Sequence, residues 1–360
     1  MVEVQTVNSR RWMIGTIILT GILLAFAALP TILVDPYFHY HKPIEGITYL
    51  LNDQRYQNDG ILKHFSYDAV ITGSSMTENF KTSDMDQLFG TTAVKTPFSG
   101  GSYKEIRDTL DTAFENNSEI RYVIRSIDCP AIIQDKDAMR YEDALYPFYL
   151  YDDKLYNDVS YFLNKQVLFE YTVPMLAYTR AGIESTSFDE YCYWSDEMAY
   201  GKEAILKKYN RPEKTESDWN RDTEDFAMLY ENIQQNFIAQ ARQYPDTQFY
   251  YFFTPQSIFW WDSINQMGAI EQFVVYMQEA SRIMLEYENI HLYSFFDVTE
   301  LICNPEHYND TIHHSGEINT QLLHWMKNGE HQLDKKNYQD HWNEVLEFYG
   351  SYDYEALFAS

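Results

Sequence analysis

The sequence is poor in basic residues and in cysteine. Its 360 residues hold 27 Lys and Arg against 54 Asp and Glu, a formal net charge of -27 at pH 7. Binding to nucleic-acid phosphates needs clustered positive charge, so this balance disfavours nucleic acid as a partner. The three cysteines, Cys129, Cys192 and Cys303, are too few and too scattered for a zinc spacing or a disulfide-stapled fold. We interpret them as small buried side chains, with one disulfide as the alternative.

Long apolar runs are also absent, with one exception near the N-terminus. Trp12–Val34 has 23 residues without an ionisable side chain, enough to span roughly 35 Å and cross a bilayer core. Two arginines precede this run and an aromatic cluster follows it, which predicts a single-pass anchor in the cell membrane with a cytoplasmic N-terminus and an extracellular C-terminal domain. The alternative is a cleaved signal peptide, because Ala25-Phe26-Ala27 has the form of a cleavage site. Either interpretation exports the rest of the chain.

The remaining sequence alternates short apolar runs with amphipathic stretches, the pattern of a parallel sheet covered by helices. It predicts an α/β fold: a three-layer, doubly wound, flavodoxin-like parallel sheet of about five strands with a mainly helical, aromatic-rich insertion, preceded by one transmembrane helix. The predicted strands are Tyr67–Thr72, Thr92–Thr96, Tyr122–Ile127, Gln248–Thr254 and Ile290–Phe295. The predicted helices are Ser83–Phe89, Tyr103–Glu115, Thr223–Gln243, Ala269–Glu286 and Glu317–Lys327.

The predicted organisation has one elaborated domain after the anchor. Its parts are a cytoplasmic N-terminus (1–11), the anchor (12–34), a juxtamembrane connector (35–66), the sheet domain (67–330) with an insertion at about 129–222, and an aromatic tail (331–360) that begins as a helix.

Aromatic side chains are abundant where basic ones are scarce. The chain contains 31 Tyr, 22 Phe and 7 Trp, which can fill a core or stack on a flat ligand. They are concentrated between Tyr141 and Tyr200, inside the predicted insertion. An insertion at the carboxyl end of a strand would lie over a site at that edge, so we expect a lid or substrate wall there, or a helical subdomain that packs its own aromatics; the two are compatible.

Hydroxyl and glycine residues follow the first two predicted strands. Gly73-Ser74-Ser75-Met76-Thr77 presents serines at the start of a helical turn, where backbone amides favour negative charge. Pro97-Phe98-Ser99-Gly100-Gly101-Ser102 offers a glycine N–H that a ligand can approach without side-chain obstruction. Taken alone, each is more typical of a helix cap or a tight turn.

A histidine and a carboxylate follow the last predicted strand. Asp310 and His313 stand in Asp-x-x-His spacing before an amphipathic helix. A serine nucleophile needs an imidazole to accept its proton and a carboxylate to hold that imidazole in the right tautomer. Because parallel strands end at one edge of the sheet, we expect Ser75, His313 and Asp310 to meet there as a catalytic triad. The backbone N–H groups of Ser75 and Gly100 would hold an oxyanion.

These residues together resemble the SGNH/GDSL hydrolase superfamily. By position Ser75 resembles its first-block nucleophile, Gly100 its second-block oxyanion donor, and Asp310 with His313 its last-block pair. The resemblance covers about Tyr67–Asp128 and Thr223–Lys327. It implies acyl transfer or ester hydrolysis without a cofactor or a metal.

Two positions depart from the superfamily pattern. Ser74 stands where the motif has Asp, and the third block, Gly-x-Asn-Asp, has no counterpart, because Asp128 follows the third strand. We interpret Asp128 as structural, while Ser74, Asp128 and His314 are candidates for substrate or supporting contacts.

The same departures and the single anchor are similar to the membrane-anchored branch of DltD-like proteins and polysaccharide O-acetyltransferases. That likeness implies a membrane-bound O-acyltransferase as partner and an envelope polymer as substrate, a glycan or a teichoic-acid-like chain.

Other interpretations are open at this point. The chain could hydrolyse an ester or transfer the acyl group to a glycan hydroxyl, and its acidity makes neutral glycans a better match than phosphate-rich polymers. It could also be a non-catalytic protein that binds or assembles envelope polysaccharide. A third interpretation takes His307, Asp310, His313 and His314 as zinc ligands, and a fourth places the nucleophile at Ser74.

Overall fold

The chain divides into two compact units in the computed structural model, which describes residues 9–152, 154–217, 219 and 223–358. The N-terminal unit combines the stretch up to His64 with Tyr146–Thr186. The sheet unit combines Phe65–Leu145 with Ser187–Ser360. The predicted insertion therefore contributes its middle part to the N-terminal unit and its two flanks to the sheet unit.

The sheet unit is built on six strands in the order β2-β1-β3-β4-β5-β6. The strands are β1 Ala69–Gly73, β2 Ala93–Pro97, β3 Tyr122–Ile127, β4 Gln248–Phe253, β5 Ile290–Ser294 and β6 Gln332–Leu333. The first five are parallel, as in Val70 beside Val94 and Ile124 beside Tyr250. The α/β fold with five parallel strands is confirmed. The short β6 adds an antiparallel edge, where Leu333 pairs with Leu292.

Helices cover both faces of this sheet. The α-helices of the sheet unit are Thr82–Phe89, Tyr103–Asn116, Lys202–Lys208, Thr223–Ile233, Ala239–Gln243, Ile258–Gln266, Ile270–Met284, Thr299–Ile302, Gly316–Asn328 and Tyr338–Ser351. A π-helical segment, Gln234–Ile238, joins two of them into the helix predicted over 223–243. The short 3-10 turns are Ser75–Thr77, Cys129–Ile132, Asp143–Leu145, Ser195–Glu197, Pro305–His307 and Tyr354–Phe358.

The two faces of the sheet pack different helices, because side chains alternate along each strand. On one face Ile71, Ile124 and Phe252 contact the helices Thr82–Phe89 and Gly316–Asn328. On the other face the packing is strongly aromatic, with Tyr251 against Phe237 at 5.3 Å and Phe253 against Trp342 at 5.3 Å between ring centroids. Much of the aromatic excess in this unit therefore fills its core.

The N-terminal unit begins with the helix Ser9–Val34, which is long and apolar enough to cross a membrane by length and composition. Its other elements are the α-helices Gln54–His64, Phe148–Tyr151, Val159–Phe162 and Val173–Ala181 and the π-helix Val167–Thr172. Four tyrosines of the insertion, Tyr149, Tyr151, Tyr161 and Tyr171, pack here with the buried side chain of Tyr37.

Asp35 fixes the chain where the long helix ends. Its carboxylate is fully buried and accepts hydrogen bonds from the backbone N–H groups of His39, Tyr40 and His41 and from the Tyr161 hydroxyl at 2.7 Å. The same hydroxyl accepts the N–H of Tyr37 at 3.1 Å. A buried carboxylate needs such donors, since burial without them is costly.

Replacing Tyr161 by Phe is expected to lower the free energy of unfolding of this unit by about 1–3 kcal/mol, because a buried carboxylate loses a donor and the Tyr37 N–H loses its acceptor. Thermal unfolding of the purified protein measures this change. Tyr156→Phe is the matched control, since Tyr156 is 79% exposed, and it should leave the transition in place. Equal transitions for both variants would contradict the role given to Tyr161.

Candidate active site

β1 leads directly into the turn that carries Ser75. Gly73 ends the strand with φ at +148°, a backbone conformation that L side chains rarely adopt. Ser74 then caps the 3-10 turn Ser75–Thr77, and its Oγ accepts the N–H of Met76 at 3.3 Å. This sharp turn leaves Ser75 half-buried at the carboxyl edge of the sheet.

Neighbouring elements hold this turn in place. The backbone N–H of Ser74 donates to Ser126 Oγ on β3 at 3.3 Å. Asn319, on the helix Gly316–Asn328, donates from Nδ2 to the carbonyl of Met76 at 3.0 Å. The position of Ser75 is therefore set by contacts to two other parts of the sheet unit.

The loop before that same helix carries Asp310 and His313. Asp310 Oδ1 accepts the backbone N–H groups of Ile312 at 2.9 Å and His313 at 2.8 Å, which closes the loop on itself. Ser257, after β4, donates its N–H and its hydroxyl to the carbonyl of Thr311. The Asp-x-x-His spacing thus forms a rigid turn, so both side chains keep fixed directions.

Ser75, His313 and Asp310 form one continuous hydrogen-bonded chain. Ser75 Oγ lies 2.8 Å from His313 Nε2, and His313 Nδ1 lies 2.9 Å from Asp310 Oδ2. A carboxylate can only accept, so the imidazole donates from Nδ1 and its Nε2 is left to accept the serine proton. The three residues predicted to meet do lie together.

The electrostatics of this chain favour an ionised Asp310. Burial raises the pKa of its carboxyl, but the hydrogen bonds and charge of His313 and the N–H of Ile312 lower that pKa by more, to a value below its ordinary range. Asp310 is therefore a carboxylate at neutral pH and can stabilise a positively charged imidazole.

Trp194 forms a wall against the imidazole, and sequence reasoning did not single it out. Its ring meets that of His313 edge-on, with centroids 5.5 Å apart. Its Nε1 donates to Glu78 Oε2 at 2.7 Å and its backbone N–H to Asn79 Oδ1 at 3.0 Å. Glu78 and Asn79 follow the Ser75 turn, so one short segment positions both Ser75 and the wall beside His313.

Gly100 lies next to Ser75 with its backbone N–H available. Its φ of +58° favours glycine, and a Cβ there would lie 3.2 Å from Nε of Arg140. Neither the N–H of Ser75 nor that of Gly100 donates a hydrogen bond to any residue that the structure describes. Two unused donors beside a hydroxyl nucleophile suit a developing oxyanion.

Asp128 follows β3 and lines the same cavity as Ser75 and Gly100. Burial raises the pKa of its carboxyl to about 6, while a hydrogen bond from the Ser74 side chain and the charges of His313 and Arg125 act in the opposite direction. Ser74 is buried and bridges the turn to this carboxyl. Ser74 and Asp128 are thus placed together, one beside the nucleophile and one in the cavity wall.

His307 and His314, the other two histidines of the loop, lie outside the hydrogen-bonded chain of Ser75, His313 and Asp310. His314 is 2% exposed, its Nδ1 lies 3.3 Å from the carbonyl of Ser315, and burial lowers its pKa to about 4. His307 Nε2 lies 3.1 Å from Asn304 Nδ2. Over the described part of the chain, no three His, Cys, Asp or Glu side chains are grouped to hold a metal ion.

Two cavities open beside Ser75. One, of about 440 Å³, includes Gly100, Asp128 and Gln256. The other, of about 620 Å³, includes Gly100, His313 and Trp194.

Residues that the sequence did not point to complete these walls. They are Arg140, Trp194, Met198, Lys208 and Gln256. Gln256 follows the end of β4, so the strand-end rule could have found it. Arg140, Trp194 and Met198 come from the irregular insertion, where no periodic pattern gives their position. Of the aromatic stretch between Tyr141 and Tyr200, Tyr141 and Trp194 line a cavity at the site.

No protein-family model and no curated protein matches this chain. Solved structures that match it include a protein from Streptococcus pneumonia provisionally described as a platelet activating factor, at 12% identity and a TM-score of 0.39. That match covers 76% of this chain and 89% of the other.

Replacing Gly73 by Ala is expected to destabilise the sheet unit by about 2–4 kcal/mol and to displace Ser75, because a Cβ there would overlap Ser126 Oγ and lie 2.7 Å from Thr77 Cγ2. Gly90→Ala is the matched control: Gly90 also has positive φ, at +67°, but no atom lies within 4 Å of its Cβ. It should cost about 1 kcal/mol from strain alone. Equal losses in chemical denaturation would contradict the steric account.

Replacing Asp128 by Asn tests the raised pKa through stability. The folded state holds the Asp128 proton more tightly than the unfolded state, so the wild type loses stability as pH rises from about 3.8 to about 6. The amide of the variant carries no charge at any of these pH values, so Asp128→Asn should gain about 1–2 kcal/mol relative to wild type across that window, a figure reduced because the carboxyl lines an open cavity. Denaturation at pH 4 and pH 7 measures the difference. A gain independent of pH would contradict this assignment.

Proposed function

We propose that the chain is a serine enzyme that transfers or hydrolyses O-acyl groups, with Ser75 as nucleophile. The observation that supports this best is the Ser75–His313–Asp310 chain, with contacts of 2.8 and 2.9 Å. Beside it lie two cavities and two backbone N–H groups that donate to no residue in the described part of the chain. Each catalytic requirement of acyl transfer has a residue of suitable chemistry there.

The reaction begins when Ser75 Oγ attacks an ester or thioester carbonyl. His313 Nε2 takes the hydroxyl proton as the new C–O bond forms, and Asp310 stabilises the resulting imidazolium. The carbonyl oxygen becomes an oxyanion that accepts the N–H groups of Ser75 and Gly100. When the tetrahedral intermediate collapses, His313 returns the proton to the leaving oxygen or sulfur, and an acyl-serine remains.

The second half of the reaction uses the same groups. Water or an acceptor hydroxyl gives its proton to His313 Nε2 and attacks the acyl carbon, and the proton then returns to Ser75 Oγ. Water makes the enzyme an esterase, and a hydroxyl of a polymer makes it a transferase.

The cellular setting of this chemistry is part of the proposal. The helix Ser9–Val34 has the length and composition of a membrane anchor, which would place the site outside the cytoplasm. In that place the substrates would be O-acyl groups of envelope polymers, as the DltD-like resemblance implies, and a membrane-bound O-acyltransferase would supply the acyl groups.

A non-catalytic binding role is the second candidate, and Asp128 is the observation that favours it. It stands where an oxyanion-donating asparagine is expected, and a carboxylate there would oppose an oxyanion. A fluorophosphonate probe separates the two candidates, because it reacts only with an activated serine. Intact protein labelled at Ser75 supports catalysis. Absence of labelling, labelling at Ser74, or equal labelling of Ser75→Ala would overturn the proposal.

Replacing any one of Ser75, His313 or Asp310 should lower kcat/KM for p-nitrophenyl acetate by about 10³–10⁴-fold, because the three act as one unit. The variants are Ser75→Ala, His313→Asn and Asp310→Asn. The sheet unit offers a matched control in His331, whose Nδ1 lies 2.8 Å from Asp297 Oδ2. His331→Asn should keep wild-type activity, and an equal loss there would show that a His–carboxylate pair matters only for folding.

A further inference from the structure

The two cavities beside Ser75 differ in their relation to the imidazole. Both include Ser75, Gly100, Arg140 and Ile312, so they meet at the nucleophile. His313 lines the 620 Å³ cavity and is absent from the lining of the 440 Å³ cavity. The site is therefore asymmetric about Ser75.

That asymmetry matters because the central carbon of the tetrahedral intermediate has four substituents, and each must contact a different part of the site. One is Ser75 Oγ, and one is the oxyanion, which points to the N–H groups of Ser75 and Gly100. The leaving oxygen must lie within hydrogen-bond reach of His313 Nε2, as must the hydroxyl that later attacks. The acyl chain makes no proton transfer and takes the remaining direction.

We propose that the 440 Å³ cavity binds the acyl chain and that the 620 Å³ cavity binds the alcohol part of the donor and then the acceptor. This assignment deepens the proposed function and depends on it. By microscopic reversibility the departing alcohol and the incoming acceptor use the same His313-lined cavity.

The walls of the acyl cavity suit a chain longer than acetyl. Met76, Ala131, Ala138 and Met139 contribute apolar surface, and Arg140 stands at its junction with the other cavity. Its volume equals that of roughly fifteen water molecules, far more than a single methyl group needs. We therefore expect medium-length acyl groups to be accepted.

The walls of the acceptor cavity suit a ring-shaped polar molecule. Tyr141 and Trp194 provide flat aromatic surface, and Met198 adds an adaptable apolar contact. Lys208, whose Nζ lies 3.8 Å from Asp310 Oδ2, provides a cation at the rim. This combination fits a carbohydrate, and because Glu78 and Asp310 line the cavity beside Arg140 and Lys208, we expect a neutral one.

Two substitutions fill one cavity each. Ala138→Phe narrows the acyl cavity and Met198→Trp narrows the acceptor cavity. Ala356→Phe and Met267→Trp are the matched controls, because these residues are exposed and line neither cavity. If the larger variants unfold at a lower temperature than wild type, Ala138→Leu and Met198→Phe are used in their place.

Two ratios of kcat/KM report on the two cavities. The acyl ratio compares p-nitrophenyl hexanoate with p-nitrophenyl acetate, and the alcohol ratio compares 1-naphthyl acetate with phenyl acetate. Ala138→Phe should lower the acyl ratio at least 10-fold and leave the alcohol ratio within 2-fold. Met198→Trp should lower the alcohol ratio at least 10-fold and leave the acyl ratio within 2-fold. Both controls should leave both ratios unchanged.

The results that would overturn the assignment are distinct from those that would overturn the proposed function. If Ala138→Phe lowers the alcohol ratio, if Met198→Trp lowers the acyl ratio, or if neither ratio changes, the cavities are assigned wrongly although Ser75 is still labelled by fluorophosphonate. If wild-type protein is neither labelled nor active on any of the four esters, the proposed function itself fails, and the assignment with it.

Discussion

The 2.8 Å contact between Ser75 Oγ and His313 Nε2 is the interaction on which this account of the site depends. The two residues are 238 positions apart in the sequence. The parallel sheet brings them together because β1 and the loop after β5 both end at its carboxyl edge. Three groups surround this contact. Asp310 lies behind the imidazole, Trp194 lies at its side, and the N–H of Gly100 lies on the side of the expected oxyanion.

The electrostatics of the site differ from those of the whole chain. A net charge of -27 would by itself keep anionic substrates away. In the larger cavity Arg140 and Lys208 are balanced by Glu78 and Asp310, and the raised pKa of Asp128 leaves part of its population uncharged near pH 6. As a carboxylate, Asp128 would oppose an oxyanion. Its partial protonation therefore makes it less unfavourable for catalysis than a fully charged aspartate. Local burial and neighbouring charge govern the chemistry at Ser75 more than composition does.

Periodic parts of the sequence predicted the structure well, because their patterns follow directly from burial on a strand or a helix. All five parallel strands and the helices near 82–89, 103–116, 223–243, 270–284 and 316–328 were predicted. So were the three residues of the hydrogen-bonded chain, since strand ends carry the site. The edge strand β6 was missed because two residues contain no pattern. The helix Ile258–Gln266 was missed because both of its tryptophans are buried and its apolar residues do not fall on one stripe.

The structure of the insertion could not be predicted from the sequence in the same way. Its tyrosines looked alike in sequence, yet Tyr161 packs beside Asp35 in the core of the N-terminal unit, while Tyr141 lines a cavity of the sheet unit. Only the contacts made in the folded chain separate a core aromatic from one at a site. For the same reason Arg140 and Trp194 became visible only in the structure.

The most direct test of the central claim is to trap the acyl-enzyme. Purified protein is mixed with p-nitrophenyl acetate, quenched in acid within the first turnover, and analysed by intact-mass and peptide mass spectrometry. We predict one acetyl group, located on Ser75, in wild-type protein and none in Ser75→Ala. An acetyl group on another residue, or ester turnover without any covalent intermediate, would contradict the assignment of Ser75 as nucleophile.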